Sequence, residues 1–173
     1  MAIWYEVEKT EDGIKNFLDS NWGFHDFRMH YFFYDIANNK VDIFLKYDTD
    51  AEGVLLRFVG IDTFNVSTER DWHVDWISGS TMSIIDDHFI WLDDDSWGDN
   101  SQEHINDIKQ YATWVISDRV FWAITDAEGK TVEMPKERIH QTWRIYDKIE
   151  EKYFRLNEFN GNWNDVLSPK RIS

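Results

Sequence analysis

Acidic side chains are concentrated in one long stretch of the chain. Residues 71–108 contain no Lys or Arg and ten Asp or Glu. Four tryptophans are interleaved with these acids: Trp72, Trp76, Trp91 and Trp97. Acidic groups beside large aromatic rings can hold Arg and Lys side chains, through ion pairs and cation–π contacts. The pattern predicts a recognition surface for a basic protein partner. Its expected binding residues are Asp86, Asp87, Asp93, Asp94, Asp95, Trp97 and Asp99.

Two other interpretations of the acidic stretch remain open. In the first, the acids are only a solvated face of a structural or oligomer-forming protein. In the second, the acids near Asp93 serve a metal-assisted hydrolase, together with His73 or His88. The run Asp93–Gly98 partly matches a calcium loop, with oxygens at the first and third positions and Gly at the sixth. However, Trp97 stands at the fifth position and His104 at the twelfth, where a bidentate Glu is needed, so we expect no metal site and no cofactor.

His25 and Asp26 are another pair of side chains that could have a catalytic role. They follow the first predicted helix in a turn, where Asp26 can turn the backbone and His25 can bond to a nearby carbonyl. No second His and no nucleophile stands at motif spacing around them, which favours an architectural role. The chain has no Gly-x-Ser-x-Gly sequence, and its eight Gly are spread singly, so no phosphate loop is predicted. The sequence therefore favours a protein without catalysis and predicts no catalytic residue.

Composition excludes several classes of protein. At 173 residues the chain is long enough for one domain, and its 17% aromatic content is too high for a disordered acidic tail. A net charge of −15 disfavours nucleic-acid binding, which depends on clustered Lys and Arg, and the absence of Cys excludes disulfides. No apolar run reaches the length of a membrane span, and the first residues do not form a signal peptide. We expect a cytoplasmic protein with no membrane contact, and the sequence does not indicate its oligomeric state.

The first two thirds of the chain predict an antiparallel sheet with one short helix. Thr10, followed by two acids, begins a helix over about residues 10–20. Three apolar runs at 27–34, 41–47 and 54–66 alternate with turns and are typical of a meander. A hairpin follows at 82–92 with its turn at Asp86-Asp87, then a short helix over 101–110. Two further strands are expected on either side of Ser117-Asp118. Gly60 lies inside the third run, which indicates a bulge or a close backbone approach.

A long helix is expected in the last third of the chain. Pro135 suits a first helical position, and Asn160-Gly161 can end the helix. Apolar residues recur between them at steps of three and four: Ile139, Trp143, Tyr146, Ile149, Tyr153 and Leu156. The predicted fold is therefore a single α+β domain over 1–173: a large, mainly antiparallel sheet, a short N-terminal helix, a long amphipathic C-terminal helix, and a loose tail at 166–173.

Several short motifs carry a resemblance to known sequences. In chain order they are Trp4-Tyr5-Glu6-Val7, Thr10-Glu11-Asp12, Gly23-Phe24-His25-Asp26 and Leu56-Arg57-Phe58-Val59-Gly60. The series resembles a family of uncharacterised bacterial proteins with a Gly-Phe-His-Asp turn after an N-terminal helix, over about residues 3–125. Phe27 departs from it, since a small hydroxyl residue is expected after His-Asp. The resemblance implies a small α+β protein with a large antiparallel sheet and brings no activity. Some similar bacterial families are suspected immunity proteins, which neutralise a toxin by binding it, and this analogy implies an immunity-like role.

Overall fold

Ten β-strands and two short α-helices make up the part of the chain that this computed structural model describes. The described residues are 4–47, 52–68, 77–94, 101–126, 128–131, 144–147, 152–155 and 170–172. In chain order the elements are β1 (Trp4–Glu6), α1 (Glu11–Ser20), β2 (Phe27–Asp35), β3 (Lys40–Tyr47), β4 (Glu52–Asn65), β5 (Thr81–Ile85), β6 (His88–Leu92), α2 (Gln102–Ile108), β7 (Trp114–Asp126), β8 (Arg144–Asp147), β9 (Lys152–Arg155) and β10 (Lys170–Ile172).

Eight of these strands form one antiparallel sheet. Six of them follow the order β10-β1-β7-β4-β3-β2, while β6 pairs with the first residues of β7 and β5 pairs with β6. The long strands β4 and β7 pair along most of their length and form the centre of the sheet. Alternation decides which face is buried: Val41, Ile43 and Leu45 of β3 point to one face and are fully buried there.

The main core lies between that face of the sheet and α1. Helix α1 begins where the Thr10 hydroxyl accepts a hydrogen bond from the Gly13 N–H at 3.0 Å. Its apolar face buries Ile14 and Phe17. The Phe17 ring lies 6.2 Å from the Trp122 ring of β7, between centroids. Burying a side chain of this size stabilises the fold by about 1.5–3 kcal/mol, so the short helix is held by packing rather than by its own propensity.

A second, smaller core lies on the opposite face, under α2. Alternation along β6 places Trp91 in the main core and sends Ile90 and Leu92 to the other face. Ile105 and Ile108 of α2 pack there. The Ser101 hydroxyl begins this helix by accepting from the His104 N–H at 3.3 Å. Of the helices described, neither has the length and apolar character needed to span a membrane.

Strand β7 runs without a turn through Ser117-Asp118, where two separate strands were expected. Gly60 of β4 lies between residues paired with Arg119 and Ser117, so it stands opposite Asp118. Gly60 has φ +68°, and a Cβ there would collide with the Asp118 carboxylate. The glycine thus accommodates a close approach, and the β4–β7 register shifts just beyond it, between Ile61 and Thr63. Ser117 and Asp118 therefore fit within a continuous strand, because Gly60 on the neighbouring strand has no side chain.

The predicted fold class is wrong in its helical part. The described residues contain a large antiparallel sheet and two short helices, and residues 144–147 and 152–155, expected to be helical, form the antiparallel hairpin β8–β9. The helical spacing left out two apolar residues, Ile145 and Phe154, and the hairpin register pairs them with each other. Aromatic and β-branched residues favour strands, and short apolar runs fit either period. The rest of the expected helix lies outside the described residues.

The expected loose tail also contains a strand. Lys170–Ile172 form β10, which pairs with β1 in the register Trp4↔Ile172 and Glu6↔Lys170. A strand of three residues gives little periodic signal, so its pairing depends on β1, which is distant in sequence. The other residues of 166–173 lie outside the described part.

Candidate functional site

The acidic residues predicted to form one surface lie at two ends of a strand. Asp86 and Asp87 form the turn before β6, and Asp93 and Asp94 follow its last residue. Six residue steps along an extended strand separate Asp87 from Asp93 by about 20 Å. A single contact with a partner side chain therefore cannot use both pairs. Each end has to be considered separately.

At the first end, Asp86 and Asp87 occupy a tight hairpin turn. Both have positive φ, 49° and 64°, which suits the two central residues of a type I′ turn and which Asp tolerates better than most residues. The Asp87 side chain is 92% exposed, and its carboxylate lies 3.8 Å from Lys9 Nζ. Lys9 also donates to the Asp87 carbonyl at 2.7 Å. The choice of acids at this turn thus has a backbone explanation, and Asp87 already has a cation beside it.

The same end holds a His–Asp contact between strands. His88 Nε2 lies 3.1 Å from Asp118 Oδ1, and His88 Nδ1 lies 2.8 Å from the Asp86 carbonyl. Both side chains are partly exposed. Among the residues the structure describes, no hydrogen bond joins the His88 ring to a Ser, Thr or Lys side chain. The contact joins the β5–β6 turn to the middle of β7.

At the second end, Asp93 is an interior residue. It is only 2% exposed. Its Oδ1 accepts from the Thr113 N–H at 2.8 Å, and its own N–H donates to the Thr113 carbonyl at 3.0 Å. Asp93 was expected to be a surface contact, but the structure buries its carboxylate against the chain that leads into β7. Asp93 therefore positions the site and does not present a charge to a partner.

The next residue, Asp94, connects two parts of the chain. Its carboxylate oxygen Oδ1 accepts from Ser78 Oγ at 3.3 Å, and its carbonyl accepts from Thr81 Oγ1 at 2.7 Å. The Ser67 N–H bonds to Thr113 Oγ1 at 3.0 Å, beside the Asp93 contact. Residues 67, 78 and 94 are thus fastened to one small region at the ends of β4, β6 and the start of β7.

Tyr111 is the exposed aromatic residue of this region. It follows α2, and 52% of it is exposed. Its pKa is raised above the ordinary value by partial burial and then by the negative charges of Asp94 and Asp107. The chain geometry agrees with this: Asp107 lies one helical turn before Tyr111, and Asp94 adjoins Asp93, which is hydrogen-bonded to Thr113. We call the surface formed by Asp94, Asp107 and Tyr111 the Asp94 corner.

A cation close in sequence to the Asp94 corner, Lys109, lies on the ring of Trp114. Lys109 Nζ lies over the Trp114 ring, 4.2 Å from its centroid, and the Trp114 indole N–H donates to the Lys109 carbonyl at 3.2 Å. An exposed apolar residue, Val66, lies between Asn65 and Ser67, which bond to the chain next to Tyr111. The corner thus combines two acids, one aromatic ring and an apolar neighbour.

The sequence prediction and the structure overlap only in part. Of the interleaved tryptophans, Trp91 is fully buried in the main core. The other predicted contacts lie outside the described residues: Asp95, Trp97, Asp99, Trp72 and Trp76. Tyr111 and Asp107 were not predicted as site residues. A large aromatic directly after a helix, in a connection that must run over the surface, is the signal that could have identified Tyr111.

The metal-assisted alternative lacks a ligand set in the described part of the chain. No three His, Asp or Glu side chains there are grouped so that they could hold a metal ion. His88 is five residue steps from Asp93, about 16 Å along the strand, so these two residues cannot share one ion. His73 lies outside the described residues.

His25 and Asp26 project from an unusual turn between α1 and β2. His25 Nδ1 lies 2.9 Å from Asp26 Oδ2, and both side chains are substantially exposed. Asp26 has φ +64°, and Trp22, Gly23 and Phe24 before it also have positive φ. The Ser80 N–H donates to the Gly23 carbonyl at 2.7 Å, which fixes the turn against the segment that leads into β5.

Comparison with known proteins identifies no relative of this chain. No family model, no curated protein and no solved structure matches the chain. The resemblance to uncharacterised bacterial proteins stays a prediction.

Proposed function

We propose that the chain is a non-catalytic binding protein whose Asp94 corner receives a basic side chain of a protein partner. The observation that carries this proposal is the exposed Tyr111 ring just beyond the end of α2, two residues before Thr113, which is hydrogen-bonded to the neighbour of Asp94. An Arg or Lys laid on the Tyr111 ring would gain a cation–π contact and meet negative charge on the same surface.

The rigidity of the corner supports a binding role. Asp94 is held by Ser78 and Thr81, and its neighbour Asp93 is held by Thr113. A surface that is already ordered loses little conformational entropy on binding. The charges of Asp94 and Asp107 can therefore act on a partner without a prior rearrangement of the strands that present them.

The sequence around the corner adds to its acidic and aromatic character. Residues 95–100 follow Asp94 directly, and residues 69–76 lie between Thr68 and Ile77. Together the two segments contain five acids, three Trp and a single Arg. Because Ser78 bonds to Asp94, one end of each segment is fastened at the same place. We propose that Asp95, Trp97 and Asp99 extend the surface that the corner begins.

A partner of this kind fits the immunity-like role that the resemblance implies, in which a toxin is neutralised by binding. We propose a cytoplasmic location for this function. Opposite charges on the two proteins would speed their encounter, and the rate would fall as salt is added.

The test compares two variants that lose the same number of charges. Wild-type protein is used to capture partners from the source organism, and the captured protein is then measured with Asp94→Asn/Asp107→Asn and with Asp86→Asn/Asp87→Asn. We expect the first variant to weaken binding about tenfold or more, equivalent to roughly 1.4 kcal/mol, with most of the loss in the association rate. The second variant, at the opposite end of β6, should bind like wild type.

Two results would refute the proposal. Equal loss in both variants would mean that only net charge matters. Binding that is indifferent to salt and to both substitutions would mean that the acids are merely solvated. Tyr111→Ala is the third variant. It should speed dissociation of the partner, because it removes the ring on which the cation lies.

A further inference from the structure

The turn between α1 and β2 lies at the same end of the sheet as the Asp94 corner. The Ser80 N–H donates to the Gly23 carbonyl at 2.7 Å, which fixes this turn beside the segment that leads into β5. The antiparallel register of β5 and β6, continued by one residue, brings Ser80 next to Asp93. Asp93 in turn exchanges two hydrogen bonds with Thr113, just before β7. Across this end of the sheet, the neighbours in order are therefore Gly23, Ser80, Asp93 and Thr113.

This order gives the approximate width of the sheet end. Segments joined by backbone hydrogen bonds in a sheet lie about 4.8 Å apart, so the three steps from Gly23 to Thr113 span about 14 Å. Trp22 directly precedes Gly23, and Tyr111 lies two residues before Thr113. The two aromatic residues therefore lie on opposite sides of Asp94. Their separation is too large for one small ligand and suits a protein partner.

Exposed apolar side chains are grouped at this end. Of the described residues, six large hydrophobics are exposed, and three of them lie here: Trp22, Val66 and Tyr111. The other three are on β2 or directly after it. An interface of ordinary size contains about 20–30 residues on each side, whereas the Asp94 corner consists of three. If a partner binds the corner, the neighbouring surface must supply most of the contact, and grouped apolar side chains are where such contacts form.

Trp22 differs from the other exposed residues at this end because its backbone is strained. Trp22 has φ 52° and Phe24 has φ 57°, in the left-handed region that is unfavourable for residues other than Gly, Asn and Asp. Phe24 is fully buried, so core packing accounts for its conformation, whereas Trp22 is 46% exposed. Strained residues are concentrated at binding sites, where the surrounding structure holds a side chain in place for a ligand. Trp is also among the residue types that most often anchor an interface.

We propose that the partner surface continues from the Asp94 corner across the sheet end to Trp22, which is its second anchor. This inference rests on the proposed function, because it concerns the same partner. It also specifies that partner more closely. Besides the basic side chain laid on Tyr111, the partner presents an apolar side chain, roughly 15–20 Å away, that packs on the Trp22 ring. The negative charge of Asp94 lies between the two anchors and favours a partner that is basic there.

The test uses the basic protein that the wild-type chain captures, purified and added at known concentration. Trp22→Ala should raise its Kd about tenfold, mainly through faster dissociation, because the substitution removes an anchoring ring. Phe33→Ala is the matched control, since it removes another exposed aromatic ring, on β2, away from this end of the sheet. The control should bind with a Kd within about twofold of wild type. Circular dichroism confirms that both variants are folded.

The pattern across variants separates this inference from the proposed function. If Tyr111→Ala and Asp94→Asn/Asp107→Asn weaken binding while Trp22→Ala binds like wild type, the proposed function stands and the extension to Trp22 is wrong. If the variants of the Asp94 corner bind like wild type, the proposed function fails, and no surface continues from the corner. Loss in the corner variants and in Trp22→Ala, with Phe33→Ala unchanged, supports both.

Hydrogen exchange of the wild-type complex tests the same surface without a substitution. Backbone amides of residues 22–26 and of residues 109–113 should exchange about fivefold or more slowly when the captured protein is bound, because binding suppresses local opening. Amides of residues 32–35, on β2, should keep their rates. Unchanged exchange at 22–26 in a complex that protects 109–113 would overturn the extension, even if Trp22→Ala does not fold.

Discussion

Asp93 and Thr113 are joined by two hydrogen bonds across the sheet end, one through the Asp93 side chain and one through its backbone. The Thr113 N–H donates to Asp93 Oδ1 at 2.8 Å, and the Asp93 N–H donates to the Thr113 carbonyl at 3.0 Å. This contact ties the end of β6 to the start of β7, below the Asp94 corner. The burial of the carboxylate makes it part of the fold.

Asp93→Ala should therefore destabilise the protein. The substitution leaves the buried Thr113 N–H without its acceptor, which costs about 1–3 kcal/mol. Asp93→Asn should cost less, because the amide oxygen can still accept. Urea denaturation gives the free energy of unfolding for each variant.

The matched control for this change is Asp87→Asn, in the exposed turn at the other end of β6, where Asn tolerates the positive φ that would strain Ala. Its free energy of unfolding should stay within about 0.5 kcal/mol of wild type, as is usual for surface substitutions. Equal effects at Asp87 and Asp93 would contradict a buried role for Asp93.

Alkaline titration can test the raised pKa of Tyr111. Partial burial raises its pKa, and the charges of Asp94 and Asp107 raise it further. Asp107→Asn should therefore lower the Tyr111 pKa towards the ordinary value, and added salt should act in the same direction. The measurement is the ultraviolet absorbance of tyrosinate, with Tyr111→Phe subtracted to isolate this residue.

The same shift predicts how stability depends on pH. Because the folded-state pKa lies above the unfolded value, the folded protein holds the phenol proton more tightly. This stabilisation is complete below the unfolded pKa and is lost as pH rises through the folded pKa. Tyr111→Phe should flatten this part of the stability profile; an unchanged alkaline slope would show that folding does not raise the Tyr111 pKa.

Arg57 and Asp42 form a bidentate ion pair on the face of the sheet opposite the main core. Arg57 Nε and Nη2 donate to the two Asp42 oxygens at 2.8 and 2.9 Å, and its guanidinium lies 4.2 Å from the centroid of the Trp4 ring. The hydrogen bonds to Asp42 raise the pKa of Arg57. Arg57→Ala removes both hydrogen bonds from a largely buried carboxylate, which keeps only Lys40 Nζ at 3.7 Å, and should cost about 1.5–3 kcal/mol, as for hydrogen bonds to charged groups.

Two further variants measure how much the Arg57–Asp42 ion pair stabilises the fold. Arg57→Lys keeps the charge but loses the two-point geometry, so it should lie between wild type and Arg57→Ala. Arg119→Ala removes a more exposed arginine that bonds to Glu6 and should cost below about 1 kcal/mol. Thermal melts that rank Arg119→Ala with Arg57→Ala would contradict the importance of burial.

The predictable part of the fold is the part with a clear period. In β3, Val41, Ile43 and Leu45 recur at every second position, separated by Asp42 and Phe44, and this period of two places the strand. Around Ser117-Asp118 the local sequence looks like a turn, whereas the chain continues as a strand, with Gly60 of β4 opposite Asp118. In the last third, apolar residues at mixed spacing satisfied a helical period and a hairpin equally well.

The candidate site was less predictable because its residues depend on distant partners. Nothing local distinguishes Asp93 from Asp94, yet Asp93 accepts a hydrogen bond from the Thr113 N–H and is buried, whereas Asp94 accepts from Ser78 and is half-buried. The sequence indicated where negative charge is concentrated. It did not indicate that a strand would separate Asp87 from Asp93, or that α2 would bring Asp107 and Tyr111 to the Asp94 end.

The turn between α1 and β2 stores backbone strain that substitutions can measure. Four of its residues have positive φ: Trp22, Gly23, Phe24 and Asp26. Phe24 is fully buried, and its ring lies 5.4 Å from the rings of both Phe17 and Phe27, so packing holds the turn in this conformation. For an L-residue other than Gly, Asn or Asp, this region costs roughly 1–2 kcal/mol. Gly23→Ala should therefore lower the free energy of unfolding by about 1 kcal/mol, since no atom obstructs its Cβ.

Variants of Asp26 separate the contribution of its backbone conformation from that of its side-chain contact with His25. Asp26→Asn removes the charge but keeps a residue that tolerates positive φ, so stability should change by less than about 0.5 kcal/mol, as for a solvent-exposed pair. Asp26→Ala loses both and should cost about 1 kcal/mol more than Asp26→Asn. Chemical denaturation of the two variants side by side makes the comparison. If Asp26→Asn is as damaging as Asp26→Ala, the contact with His25 stabilises the turn; if both leave stability unchanged and abolish partner binding, the turn is a binding element instead.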